Sequence, residues 1–363
     1  MFFSHLRKLD WWLILIVFLL CAMGLVAIYS SSTGTGDFGN FKKQIVFFVL
    51  GVLIMFAASF VDWRIFTASR YIILGFYFFC VLALLGLFFF APIIRGIRGW
   101  YKLGPFSLDP VELTKLSLVI LLAKYFSSRH IEVYRIVHIL ISGAYIFLPV
   151  ALIFFQPNLG SSLILIALWL VMLIVSGVKI RHFLLLLFCG FLVCVASWFF
   201  LLKDYQKQRV AVFIAPQTSS SLSLGWNQAQ AKIAIGSGGI WGQGFLRGSQ
   251  ARYGFLPEPQ TDFVFAVVAE EFGLVGVSVI LLLFAFLLSR IVKIASLSRA
   301  NFPRLFSAGV AASIFCQVFI NIGMNLGLLP IIGISLPFLS YGGSGLLAIF
   351  LTLGLLQSVK ISV

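Results

Sequence analysis

The sequence predicts an all-α polytopic integral membrane protein. It is read as about ten transmembrane helices in one domain spanning residues 1–363, with both termini cytoplasmic and one long extracytoplasmic loop between helices seven and eight. Three observations predict it. The 363-residue chain is 61% hydrophobic and 10% charged, so its 26 basic and 11 acidic residues are too few to clothe a soluble surface. Ten apolar runs approach the length that a bilayer core demands of a helix. The charges fall between those runs rather than within them. A net charge of +15 on a soluble chain would suggest nucleic acid. Here the cations read as loop anchors facing anionic lipid, and nucleic acid is not expected as a partner.

The runs lie near 11–29, 45–61, 71–92, 111–126, 136–154, 158–176, 182–202, 262–289, 305–328 and 343–359. The first follows Arg7, Lys8 and Asp10, is long for a signal segment, lacks a small-x-small cleavage pattern, and is read as an uncleaved span. The fourth is the shortest. Short loops sharing a side with the N-terminus carry 14 Lys and Arg, from Arg7 to Lys360, against 5 on the opposite side. The positive-inside rule then sets the orientation. The loop at 203–261 is too long to count in that comparison, and loops of this length tend to be functional or to hold structure of their own. The five cysteines lie in apolar runs and read as small buried hydrophobes. The four histidines form no ligand cluster, so no metal site built from protein side chains is expected.

Five constellations stand out. Trp100 leads into Asp109-Pro110-Val111-Glu112, a capping box that opens span four. Glu112 and Lys115, three residues apart, can meet on one helix face, either as a plain ion pair or as a site, because intramembrane charges usually face the interior. Gln156-Pro157-Asn158 forms a polar turn that could be structural or could offer hydrogen bonds to a substrate. The glycine-rich stretch Gly236 to Gly244, flanked by Arg209, Arg247 and Arg252, would let backbone amides and guanidinium forks approach an anion; it has no G-K-[ST] and is not a P-loop. Glu258 to Asp262 ends the long loop, and a helix is expected to start at Thr261 or Asp262. Asp262 is then either an N-cap or a general base at the outer membrane face. Glu270, deeper on that helix, needs a partner, and Lys115 is the candidate. Finally, Gln317, Asn321 and Asn325 make a polar stripe with the Gly323/Gly327 small-residue pair, a pattern that reads first as helix packing.

Together these residues resemble the SEDS family (shape, elongation, division and sporulation) over nearly the whole chain. The carrying segments are Ile235 to Gly239, Gly248-Ser249-Gln250, Phe255 to Glu258, Thr261-Asp262-Phe263, Glu270 to Gly273, Asn321 to Met324 and Ser340 to Ser344. The stretches 244–250 and 255–258 look more like the elongation branch than the division branch. The resemblance implies a peptidoglycan glycosyltransferase of the bacterial plasma membrane, acting on lipid II at the extracytoplasmic face during cell elongation. Asp262 matches the family's catalytic aspartate. Candidate substrate contacts are Trp100, Glu112, Lys115, Gln156, Asn158, Arg209, Arg247, Ser249, Gln250, Arg252, Glu258, Glu270, Tyr341 and Ser344. No cofactor is expected to be tightly bound, although a divalent cation (Mg or Mn) could serve at the pyrophosphate. Implied partners are a class B penicillin-binding transpeptidase and other elongation-complex membrane proteins. The sequence departs from the family pattern at Asn158, where an aspartate is usual, at Val111, at Gly99, and in Ala215-Pro216 with the Ser-rich patch that follows. A flippase for lipid-linked precursors and a non-catalytic scaffold for a transpeptidase are the alternative readings.

Overall fold

The computed structural model describes residues 2–93, 98–104, 106–129, 136–200, 207 and 222–362. A short helix α1 (Phe2–Lys8) precedes α2 (Trp11–Thr35), α3 (Gly39–Ser59), the short α4 (Arg64–Ala68) and α5 (Arg70–Phe90). Then follow α6 (Pro110–Ser128), α7 (Ile136–Phe155), α8 (Leu159–Ser176), α9 (Ile180–Phe200), α10 (Leu222–Gly238), α11 (Ser249–Arg252), α12 (Val264–Leu297), α13 (Asn301–Leu326) and α14 (Gly343–Ile361). Among the described residues, nine helices are long and apolar enough to cross a membrane. The expected fourth span, α6, is not one of them because Glu112, Lys115 and Lys124 interrupt it. It lies inside the bundle, packed by α5, α13 and α14, the placement expected of a span whose charges face the interior. At the other extreme, the most apolar 18-residue stretch of α9 has no buried residue, and Cys189 on it is exposed, contrary to the expectation that every cysteine is buried.

The all-α expectation omits one feature. Tyr101–Leu103 (β1) and Phe106–Leu108 (β2) pair antiparallel, with Tyr101 opposite Leu108, in the connection before α6. The Tyr101 hydroxyl donates to the Ala83 carbonyl at 2.6 Å, and the Phe106 ring meets Phe47 edge-on. The hairpin is thereby fixed across the ends of α3 and α5.

The described part of the long loop is not irregular. It holds α10 and α11, and its glycine run serves the backbone of α12 rather than an anion. Gly273, at φ 62°, breaks α12. The amides freed at Leu274 and Val275 donate to the carbonyls of Gly239 and Ile240 at 2.9 and 3.2 Å. In return, the amides of Gln243 and Gly244 donate to the carbonyls of Glu270 and Glu271 at 2.9 and 3.0 Å. A Cβ on Gly242 would stand 2.1 Å from the Glu271 carbonyl oxygen, so this docking requires glycine. The same amides are not available to cradle a phosphate.

Both termini gather at one end of the bundle. There Asp10 caps α2 through Leu13 N (3.1 Å) and accepts both Nε and Nη2 of Arg290 on α12, at 3.0 and 2.6 Å. Its own amide donates to Gln357 Oε1 on α14 at 2.9 Å. The Asp10 side chain is 1% exposed, so the pair is buried on the acid's side. Arg290→Ala is expected to lower thermal stability in detergent by about 3 kcal/mol, because it strands a buried carboxylate. Replacing Asp10 with Asn in the same protein should recover much of that loss.

Candidate active site

Asp262 lies at the bundle end opposite the termini, on a turn just before α12. The helix does not start on it as expected: the cap position is Phe263, with no side-chain cap bond, so Asp262 is not the N-cap. It is half-buried, and the turn is braced residue by residue. The Gln260 carbonyl accepts from Tyr341 N at 2.7 Å, the Thr261 carbonyl from Ser340 Oγ at 2.6 Å, and the Asp262 carbonyl from the amides of Asn321 and Asn325 at 3.0 and 3.1 Å. Three successive carbonyls are thus held by α13 and by the 327–342 connection that follows it. Gln260 reaches the other way, accepting from Asn40 at 2.8 Å and donating to Ser32 at 3.2 Å. Glu258 and Phe338, on the two facing segments, both hold positive φ (48° and 67°), a strain of about 1–3 kcal/mol each that persists where surroundings over-determine the backbone. Glu258 also accepts from the Thr261 hydroxyl at 3.4 Å. Gly333, at φ 72°, flanks the carboxylate: a Cβ there would sit 3.5 Å from Asp262 Oδ2.

The polar stripe of α13 therefore does something other than the expected helix packing. Nor do Gly323 and Gly327 form one shared seam against a single neighbouring helix. Gly327 is the left-handed C-cap of α13 with Lys232 of α10 against it, and Gly323 faces Leu329 as the chain folds back. Asn321 and Asn325 are fully buried, and their amides are spent on the Asp262 turn and on the Ile334 and Asn321 carbonyls. The stripe was visible in the sequence at its i, i+4 spacing. Its partner was not, because it lies some 60 residues earlier in the chain.

The other candidate residues fall into separate groups. Glu112 and Lys115 pair with each other at 2.7 Å, as their spacing suggested. With Gln317 they line a small half-open pocket of about 30 Å³, room for a water or two. Glu112 also lies below the start of α14, 3.6 Å from where a Cβ of Gly345 would stand, so Ser344 and Tyr341 belong to the same corner. Trp100 is half-buried at the base of the hairpin on this side. Glu270 does not pair with Lys115. Three protein donors satisfy it instead: Ser249 Oγ (3.1 Å), Gln250 N (2.7 Å) and Ala251 N (3.3 Å). Ser249, Gln250 and Glu270 are engaged with one another beneath the docked loop, and Glu270 is fully buried. Arg247 and Arg252 are exposed on that loop, while Arg209 lies outside the described residues. Gln156 is buried and donates to the Leu84 carbonyl at 2.7 Å, and Asn158 caps α8 through Ser161 N at 3.2 Å. That turn touches the site indirectly, since Gly160 abuts the Ile332 carbonyl.

Asp109 does cap α6, through Val111 N at 2.9 Å, but the reciprocal half of the capping box is absent because Glu112 turns to Lys115. Burial, reinforced by Glu112, pushes the Asp109 carboxyl up from 3.8 to about 7. The unfolded carboxyl ionises first, so the penalty is absent below about pH 3.8, grows as pH rises and is complete above about 7. Asp109→Asn keeps the cap acceptor and is expected to be more thermostable than the unaltered protein at about pH 8, by roughly 1 kcal/mol after allowing for solvent at a half-exposed group, with the gap closing in acid.

Fold and site together define a polytopic membrane protein carrying a carboxylate on a braced turn at the mouth of its bundle. The model of the Cell cycle protein family, FtsW/RodA/SpoVE, matches residues 10–363. The peptidoglycan glycosyltransferase MrdB of Escherichia coli is 35% identical over 357 residues, covering 97% of this chain and 93% of the relative. Stage V sporulation protein E of Bacillus subtilis is 35% identical over 97% of this chain and 96% of its own length. Among solved structures, a chain of a peptidoglycan synthase complex that coordinates polymerization and crosslinking superposes with a TM-score of 0.83 at 32% identity, covering 97% of both chains. The rod-shape-determining RodA of Thermus thermophilus superposes at 0.72 with 30% identity, covering 97% of this chain and 96% of its own. The chain belongs to the FtsW/RodA/SpoVE family, the SEDS proteins of the sequence resemblance.

Proposed function

We propose that the chain polymerises lipid II on the extracytoplasmic side of the bacterial plasma membrane, with Asp262 as the general base. It is a peptidoglycan glycosyltransferase, as its relatives are named. In the reaction, the Asp262 carboxylate takes the proton of the acceptor's GlcNAc 4-hydroxyl. That oxygen bonds to the anomeric carbon of the donor MurNAc as the bond to the carrier breaks, and lipid pyrophosphate leaves with the bonding pair. The observation that carries this reading is the bracing of residues 260–262 by three consecutive main-chain contacts, with a half-exposed carboxylate at the end of the run that is not the helix cap. Such fixing of a loop residue is what proton transfer in a defined geometry requires. Exposed Arg247 and Arg252 supply cations for the departing pyrophosphate, and a divalent ion could share that charge.

The complex to which one structural relative belongs supports a transpeptidase partner for this chain. The cation bias of the loops supports cytoplasmic termini, which puts Asp262 outside. Transport is the second reading and rests on the polar interior around Glu112, Lys115 and Gln317. Purified protein incubated with lipid II, with and without the transpeptidase and Mg or Mn, should yield glycan strands. Movement of lipid II between liposome leaflets with no polymer would instead support the transporter.

A further inference from the structure

We infer that Asn321 and Asn325 are positioning residues for glycosyl transfer. They act through the Asp262 main chain, an assignment that rests on the reading of Asp262 as the base. Two carboxamides on successive turns of α13 converge on one carbonyl oxygen, at 3.0 and 3.1 Å. A carbonyl has two lone pairs, so this pair of donors fills its capacity and fixes the peptide plane in two directions. That plane is one bond from the Asp262 Cα, and its orientation sets where the carboxylate can reach. Both asparagines are fully buried. Each also holds a second acceptor that locks its own rotamer: the Ile334 carbonyl for Asn321 (2.7 Å) and the Asn321 carbonyl for Asn325 (2.8 Å).

The Ile334 contact matters because it extends the clamp to the other wall of the site. The 327–342 connection carries Gly333 beside Asp262 Oδ2, Ser340 on the Thr261 carbonyl and Tyr341 on the Gln260 carbonyl. Asn321 thus joins the base to the segment that faces it through a single side chain. A helix-packing role would need these amides to bond a neighbouring helix, but among the described residues they reach the loop segments at the mouth and their own helix.

Serine tests this cleanly at 325. Its hydroxyl can return a bond to the carbonyl four residues back, which is that of Asn321, yet it falls short of Asp262. Asn325→Ser and Asn321→Ser proteins, shown to be folded by thermal unfolding, are expected to lose about 10- to 100-fold in kcat for lipid II polymerisation, with KM within about threefold, as a displacement near 1 Å produces. Combined with Asp262→Asn, neither substitution should lower the residual rate further. A folded Asn325→Ser or Asn321→Ser protein with unaltered kcat overturns the inference, as does a further loss in the double variants. Either folded variant decides. If Asp262→Asn is itself fully active, the base assignment fails first. If Asp262→Asn is inactive and the serine variants are fully active, only the clamp fails.

Discussion

Purified Asp262→Asn protein is expected to polymerise lipid II at least about 100-fold more slowly than the unaltered chain, the scale of a lost general base. The substitution is nearly isosteric, and the bonds that brace the turn run through the Asp262 carbonyl rather than its carboxylate. The variant should therefore stay folded, and the transpeptidase should still bind. This separates chemistry from architecture in a single protein. Glycan strands formed at the normal rate by Asp262→Asn would remove Asp262 from the reaction. A variant that neither folds nor binds its partner would instead show that the residue is structural.

Glu270→Ala should give the largest loss of stability of any single truncation where the loop docks on α12, about 3–5 kcal/mol, because it orphans a hydroxyl and two backbone amides at a buried position. The protein should unfold earlier in detergent, and activity should fall with it, since the loop runs on into the Asp262 turn. Glu270→Gln, which keeps one acceptor, should fall between. Lys115→Met tests the same point from the other side. If Glu270 depended on Lys115, both substitutions would destabilise alike, whereas the observed geometry predicts that Lys115→Met disturbs Glu112 and leaves α11 in place.

The helices and their rough ends were legible because lipid imposes one rule on every span: apolar for about 20 residues, with charges outside. The Glu112–Lys115 pair was legible for the same reason as the helices, since both residues lie within one period. What stayed hidden was everything joined across long separations. The carboxylate of Glu270 appeared to want a cation because amides from a loop about 20 residues away leave no mark in the sequence. The glycines at 236–244 suggested an anion because density alone does not say what the backbone approaches. Asn321 and Asn325 looked like packing residues because an amide's partner cannot be read from its spacing. Asp262 itself was found through its neighbours, but the structure alone separates it from the cap position.

The break at Gly273 has a consequence for how the protein is made. A helix with two unpaired amides facing hydrocarbon is a poor insertion intermediate. The carbonyls that pair with them lie earlier in the chain, on a segment that emerges first and must wait. Loop and helix therefore complete each other only after both have crossed to the same depth. A nascent chain stalled before α12 would therefore carry the catalytic turn without the later segments that brace it.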